Sequence, residues 1–451
     1  MDVLFLSRLQ FALHTAFHYI YPPISIGLGI MLVVMEGLYL KTKDLKYKKM
    51  TSFWIKIFAL TFALGVATGL VQTFAFGTNW ARYSRFVGDV FGSALAAEGV
   101  FAFFLESGFL GILLFGWDRV GPKLHYLSTI FVCLGAHFSA VWIIVANSWM
   151  QTPAGYEIVD TEHGPRAVVT EFWAMVFNPS TIDRLCHVVL GCWLTGAFFV
   201  ISVAAYYLLQ KRYKEIARSM MKIGLSFAMV SLILQLISGD SSARLIARYQ
   251  PGKLAAFEGI YQTAPKTPIS VVGWVDAKNE TVHSIKIPGA LSFLTYRDLS
   301  TPVTGLDQIP KDEWPNVPLT FQTYHIMVMM WAVMFILAVL GLFYLKRLET
   351  KKGLLWPMVF SVVLPHIAQQ CGWISTEVGR QPWIVWKLLR TSEGVSTSIV
   401  KQQVFGSITM FVLIYTLLFV LFLFLLDRKI KHGPEDVRQD DFIYQNIGKM
   451  G

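Results

Sequence analysis

Nine apolar runs divide the chain, at roughly 10–40, 53–77, 93–117, 125–150, 184–209, 219–240, 321–345, 354–378 and 403–428. Each holds about 20 residues or more, enough to cross a hydrocarbon core about 30 Å thick. In lipid a single segment must satisfy its own backbone hydrogen bonds, so every run predicts a helix. The first run has no small-residue cleavage site behind a short apolar core and predicts a retained helix, not a signal peptide. The pattern therefore predicts an all-α integral membrane protein with nine transmembrane helices. One long stretch breaks the rhythm. Residues 241–320 are rich in Pro, Gly and Thr with some alternating segments, and a loop of that length usually carries function. The expected division is 1–240 for six helices, 241–320 for the loop, 321–428 for three more helices and 429–451 for a tail.

The polar punctuation orients the bundle. Lys41, Lys43, Lys46, Lys48 and Lys49 follow the first run, and Arg119 and Lys123 the third. Lys211, Arg212, Lys214 and Arg218 follow the fifth, Lys346, Arg347, Lys351 and Lys352 the seventh, and Arg428, Lys429 and Lys431 the ninth. Basic connections mark the cytoplasmic side, so the N-terminus and the 241–320 loop are expected outside and the tail inside. The formal net charge of +10 then belongs to these loops. It gives no basic patch with interleaved aromatics of the kind that binds nucleic acid. With 54% hydrophobic and 15% charged residues, an ordinary soluble domain is excluded.

Against this apolar background, polar residues inside the runs are the candidates for chemistry, because each is costly to bury in a membrane. Glu377 closes the eighth run in Glu377-Val378-Gly379-Arg380-Gln381-Pro382-Trp383, with Arg380 one turn on, able to pair with it or to grip an acidic group of a cofactor. The third run carries Glu98, Glu106 and Asp118. Glu98 and Asp118 lie about 30 Å apart by helical rise, the thickness of the membrane. These acids read as a proton route, with Ser139, Asn147 and Trp149 of the fourth run as polar neighbours able to hold water. His14 and His18 share a face of the first run, and a hydrogen bond to a neighbouring helix is the plainer role, above all for His14. His187 opens the fifth run and Met327 the seventh. In the loop, Lys253 and Glu258 fall on one possible helical turn, which taken alone predicts a surface ion pair. Cys133, Cys186, Cys192 and Cys371 show no CxxC spacing and are expected as buried free thiols.

His18, Glu98, His187, Met327 and Glu377 all fall in the outer half of their runs. Two imidazoles, a thioether and two carboxylates at one level, in a chain with 14 Trp and 34 Phe, fit axial ligands in an aromatic haem pocket.

Several strings then resemble one family, subunit I of the cytochrome bd quinol oxidases. They are Gly379-Arg380-Gln381-Pro382-Trp383, Ser7-Arg8-Leu9-Gln10-Phe11-Ala12, Phe62-Ala63-Leu64-Gly65-Val66-Ala67-Thr68-Gly69 and Phe76-Gly77-Thr78-Asn79-Trp80. Phe103-Phe104-Leu105-Glu106-Ser107, Phe115-Gly116-Trp117-Asp118-Arg119 and Val145-Ala146-Asn147 continue the resemblance, which runs from residue 7 to about 425. It implies a terminal oxidase of a prokaryotic plasma or inner membrane, with a low-spin haem b, a high-spin haem b and a haem d. Such an enzyme oxidises quinol (menaquinol or ubiquinol) at the outer face and reduces dioxygen to water with cytoplasmic protons, building a proton motive force without pumping. The resemblance implies His187 and Met327 as the axial pair of the low-spin haem, and His18 and Glu377 as ligands of the two high-spin irons. It implies Glu98 as a carboxylate beside that pair or on an iron, and Asp118, Glu106, Glu98 and Ser139 as the proton path. Lys253 and Glu258 match the quinol-oxidising part of the loop, Trp373 an aromatic among the haems, and Arg380 a propionate contact. A second large hydrophobic subunit, subunit II, and a small single-helix subunit are implied as partners. His325 departs from the pattern, standing where the family more often has arginine, and it cannot form a bidentate fork. A secondary transporter is the competing class, but the chain shows no inverted repeat and no paired broken helices.

Overall fold

The computed structural model describes residues 2–434, so the expected tail lies mostly outside the described residues. Among those residues, nine helices are long and apolar enough to cross a membrane, as the pattern predicts. The first span is two helices, α1 (Val3–His18) and α2 (Tyr21–Thr42). Pro22 and Pro23 lack the N–H groups that would continue the helix, so the chain breaks immediately after His18. The second span is α3 (Leu45–Asn79), started by the Asp44 side chain accepting from Lys46 N. The third, α4 (Gly88–Phe115), contains a π-helical turn at Glu98–Phe103. Then come α5 (Pro122–Gln151), α6 (Thr181–Leu209) and α7 (Lys214–Tyr249). A short helix, α8 (Pro251–Glu258), lies in the long loop, followed by α9 (Val317–Phe343), α10 (Lys352–Phe360), α11 (Val363–Val378) and α12 (Lys401–His432). Two expectations need correction. The sixth helix does not end at Asp240 but runs on to Tyr249, so the loop begins later than its composition indicates. The eighth span is not continuous; it bends at Ser361 and Val362, between Pro357 and Pro365.

Three of the connections carry two-stranded hairpins. Strands β1 (Tyr156–Thr161) and β2 (Gly164–Val169) join α5 to α6, β3 (Ile269–Asp276) and β4 (Thr281–Ile287) form the loop's ribbon, and β5 (Trp383–Val385) pairs with β6 (Leu389–Arg390) after α11. The main core lies where α2, α3, α6 and α7 meet, around Met31, Trp54, Phe58, Phe198, Tyr207 and Met220. Glycine makes this approach possible: a Cβ on Gly27 of α2 would fall 2.5 Å from the Gly196 nitrogen of α6.

Contacts between connections define two ends. At the basic end Lys48 lies 4.0 Å from Asp118, Arg218 pairs with Glu349, and Tyr213 donates to the His432 carbonyl at 2.8 Å. At the loop end Trp386 N donates to Met150 O at 2.9 Å, Lys387 pairs with Glu313, and Gln250 donates to Gln151 O at 3.0 Å.

Candidate functional site

The helix α11 gathers the candidates at the loop end. Its Gly372 is bare because a Cβ there would sit 2.8 Å from the Met327 sulfur of α9. The next residue, Trp373, packs edge-on against Tyr19, 5.5 Å between centroids, and Gln370 donates to Ala16 O at 2.8 Å. The broken end of α1, with His18, is thereby docked beside α11. The His18 ring faces back to α3, its Nδ1 3.0 Å from the Thr68 hydroxyl. One turn past Trp373, Glu377 collects three donors, from α5 and from the turn after α11. Arg380 pairs with Oε2, while Asn147 and Gln151 of α5 donate to Oε1 at 3.1 and 3.3 Å. Arg184 of α6 steadies Asn147 at 2.5 Å.

Lys253 closes this network from the loop. Only 1% exposed, it donates to Gln151 Oε1 at 2.7 Å and to Gln250 Oε1 at 3.0 Å. Burial, then the nearby Arg184 charge, holds its amine well below the ordinary lysine range. It also lines a cavity of about 220 Å³ with Gly379, Gln381, Trp386 and Lys387. Glu258, equally buried, points elsewhere, to the Tyr324 side chain and to Ser270 N at 3.4 Å. Burial pushes its carboxyl up to about 7. Lys253 and Glu258 are therefore neither exposed nor partners, against the surface ion pair that their spacing predicts.

The other candidates sit on neighbouring helices. His187 of α6 packs against α7, with Gln235 Nε2 3.0 Å from its Nε2 and Ser238 Oγ 3.2 Å from its Nδ1. Glu98, at the start of the π turn, accepts from Ser139 of α5 at 2.5 Å. Glu106 is buried against the bare Gly135 of the same helix, where a Cβ would meet its own at 2.7 Å. Among the described residues its carboxyl has no hydrogen-bond or ionic partner. Asp118 is exposed in the connection after α4, its carboxylate 4.0 Å from Lys48. Asn147 and Trp149 do not join these acids: Asn147 serves Glu377, and Trp149 donates to Ala154 O at 3.0 Å. His14 bonds Tyr415 at 2.6 Å and fills the helix-to-helix role expected of it. His325 is turned toward the loop, its two ring nitrogens each 2.8 Å from a carbonyl, of Phe321 and of Ser270. All four cysteines are free; Cys133 and Cys192 are buried, but Cys186 is exposed, contrary to expectation.

Sequence reasoning missed Arg184, Gln151 and Gln250, which complete the network around Glu377 and Lys253. A buried arginine in the first turn of a span was the available signal, since such a charge requires a partner. The π turn at Glu98 left no pattern in the sequence.

Residues 6–434 match the family model described as cytochrome bd terminal oxidase subunit I. The chain belongs to that family. It is 40% identical over 455 residues to the cytochrome bd ubiquinol oxidase subunit 1 of Bacillus subtilis (strain 168), covering 98% of this chain and 96% of the relative. It is 34% identical over 509 residues to the cytochrome bd-II ubiquinol oxidase subunit 1 of Escherichia coli (strain K12), covering 97% and 98%. Its fold is similar to the bd oxidase from Geobacillus thermodenitrificans, with a TM-score of 0.90 at 30% identity over 96% of this chain and 99% of that one. As a cytochrome bd subunit I the chain is a multi-pass plasma-membrane quinol oxidase of a prokaryote, and the family uses haem. The site suits that group. Among the described residues, buried Arg380 Nε and Nη1, Arg184 Nε and Trp383 Nε1 have no hydrogen-bond partner, and such unengaged donors, three of them guanidinium nitrogens, suit propionates.

Proposed function

We propose that the loop end of this chain is where quinol is oxidised and where three haems, a low-spin haem b, a high-spin haem b and a haem d, are held for the reduction of oxygen to water. The observation that carries this reading is the convergence on α11 of a thioether, an imidazole helix and a carboxylate ringed by cations. His187 and Met327 would hold the low-spin haem, with the Gln235 contact to His187 Nε2 giving way to the iron. His18 and Glu377 would hold the high-spin pair, with Glu98 as a carboxylate beside it, Trp373 as an aromatic neighbour and Arg380 as a propionate contact. Bound haem supplies the one-electron steps and the binding of oxygen.

The chain's own residues do the rest. The cavity beside Lys253 admits the quinol ring, and Gly379 and Gln381 line it on the α11 side. Glu258, about half ionised near neutrality, accepts a proton at that face. The basic connections place the other end in the cytoplasm. Protons for water enter there at Asp118 and pass by Glu106 to Glu98 and Ser139. Charge is separated without pumping, each elementary charge moved being worth about 2.3 kcal/mol per 100 mV. The native quinol is menaquinol or ubiquinol. Subunit II and a small single-helix subunit would complete the oxidase.

A reduced-minus-oxidised optical spectrum of the purified oxidase, read together with quinol-supported oxygen uptake, tests this proposal. It predicts b-type bands, a far-red chlorin band and uptake that stops without quinol. A spectrum with b-type bands alone would leave an electron carrier and refute the oxygen-reducing site.

A further inference from the structure

Glu36 of α2 is fully buried near the basic end, and nothing in the proposed function uses it. Its oxygens are both engaged: Oε1 faces His125 Nδ1 at 2.6 Å, and Oε2 accepts from the Thr129 hydroxyl at 2.5 Å. His125, itself 1% exposed, points Nε2 at the Leu113 carbonyl, 3.2 Å away. A carbonyl oxygen only accepts, so Nε2 carries a hydrogen. One further proton is then shared between His125 Nδ1 and Glu36. Whichever atom holds it, the pair is neutral as a unit, far less costly to bury than a lone charge.

The pair also fills a gap. Glu106 lies about 14 Å by helical rise from Phe115, where α4 ends, and Asp118 follows in the connection beyond, too far for any direct transfer. Leu113, which His125 touches, lies between them. Trp117 stacks on His125 with 3.9 Å between centroids, and Lys48 lies 5.4 Å from the Trp117 ring and 4.0 Å from Asp118. The indole stacked on His125 thus belongs to the residue next to the exposed Asp118. Toward the other end α5 acts as a rail. His125 and Thr129 are followed by Gly135, which abuts Glu106, and Ser139, which bonds Glu98. From Thr129 to Gly135 the rise is about 9 Å, a length that two or three hydrogen-bonded waters would span.

We propose that Glu36 and His125 are the loading pair of the proton route, charged from the Asp118 surface and discharging through water to Glu106. This rests on the reading that protons enter at the basic end and pass Glu106. For each proton delivered, Glu36 releases the shared proton inward and the pair drops to one negative charge; one proton from the surface restores it, and no electron moves.

Glu36→Gln tests the idea in the whole oxidase, assayed in sealed membrane vesicles. Glutamine keeps the volume and can still bond Thr129 and His125, but it cannot carry the shared proton. Quinol-supported turnover should fall about tenfold or more, while the haem spectrum and the rate of haem reduction by quinol stay parental. Glu36→Asp should regain part of the rate, and His125→Gln should behave like Glu36→Gln. A purely structural pair would tolerate glutamine or lose haem. Parental turnover in both glutamine variants overturns the proposal, and so does loss of haem or slowed haem reduction in both. Glu106→Gln run in parallel separates the two levels. If it is inactive while Glu36→Gln is parental, only the loading pair fails; if it too is parental, the route past Glu106 fails.

Discussion

Glu377 and Glu106 are the same residue in two opposed settings. Glu377 is enclosed by donors: Arg380 pairs with it, Asn147 and Gln151 donate to it, and Arg184 and Lys253 stand behind those amides. Glu106 rests on the bare backbone of Gly135 and receives nothing among the described residues. A carboxylate in a cage of cations and amides is fixed as a charge, and moving its proton would disturb the whole network. An unpartnered carboxyl deep in a membrane is neutral at rest and can give up and regain its proton as a neighbour or a water presents itself. The difference assigns holding and anchoring to the loop end and proton traffic to the α4–α5 seam.

The sharpest way to break the contrast is to remove each carboxylate in turn. Glu106→Gln should lower quinol-supported oxygen uptake by about 10²-fold while leaving haem content unchanged, and Glu106→Asp should keep part of the rate. Unchanged uptake in an oxygen-electrode assay would end the seam's role. Glu377→Gln should do the reverse in kind, leaving Arg380 and Arg184 without their anion. Thermal denaturation of the purified oxidase should show a loss of a few kcal/mol, below the roughly 3–5 kcal/mol of a fully buried broken pair because Glu377 is itself part-exposed. Haem would be lost with it; a variant with parental stability and haem content would contradict the anchoring role.

Met327→Leu keeps the volume and loses the sulfur, so the low-spin bands should fade or shift to lower potential in a redox titration while the other haem bands persist. Unaltered low-spin bands would remove Met327 from the ligand set. The smallest effect concerns Glu258, whose carboxyl burial pushes up to about 7. Below that pH it is protonated and cannot accept a proton, so quinol oxidation should rise a few-fold as pH increases through about 7. Glu258→Gln should flatten that rise while an artificial electron donor still supports uptake. A rise that persists in the variant belongs to another group. Stability runs the opposite way: the buried acid favours the fold while protonated, and that contribution declines as pH climbs from the ordinary carboxylate range through about 7.

The spans were legible because a membrane imposes length and apolarity on every crossing segment, and the basic connections followed the same logic. Glu377 and Glu106 stood out because a charge inside an apolar run is costly, whereas Lys253 was marked only by the family resemblance. Their settings were not legible. Nothing in the spacing of Lys253 and Glu258 reveals that the first turns toward Gln151 and the second toward Tyr324, since that depends on how α8 docks against α5 and α9. The extension of α7 to Tyr249 was hidden because its last turns are polar and read as loop. Glu36 obeyed the rule that flagged the other acids, yet it stood alone in its span, and its partner His125 is far away in sequence. The break after His18 was signalled by Pro22 and Pro23 and simply lay inside a run that hydropathy alone joins together.

The contrast between the two carboxyls is tested most directly by redox-difference infrared spectroscopy of the oxidase, watching the carbonyl stretch that only a protonated carboxyl shows. The account predicts a band of this kind that responds to reduction of the enzyme, disappears in Glu106→Gln and persists in Glu377→Asp, which keeps the anchored anion. A band that survives Glu106→Gln and is lost when Glu377 is changed would reverse the assignment of the anchored and the mobile acid.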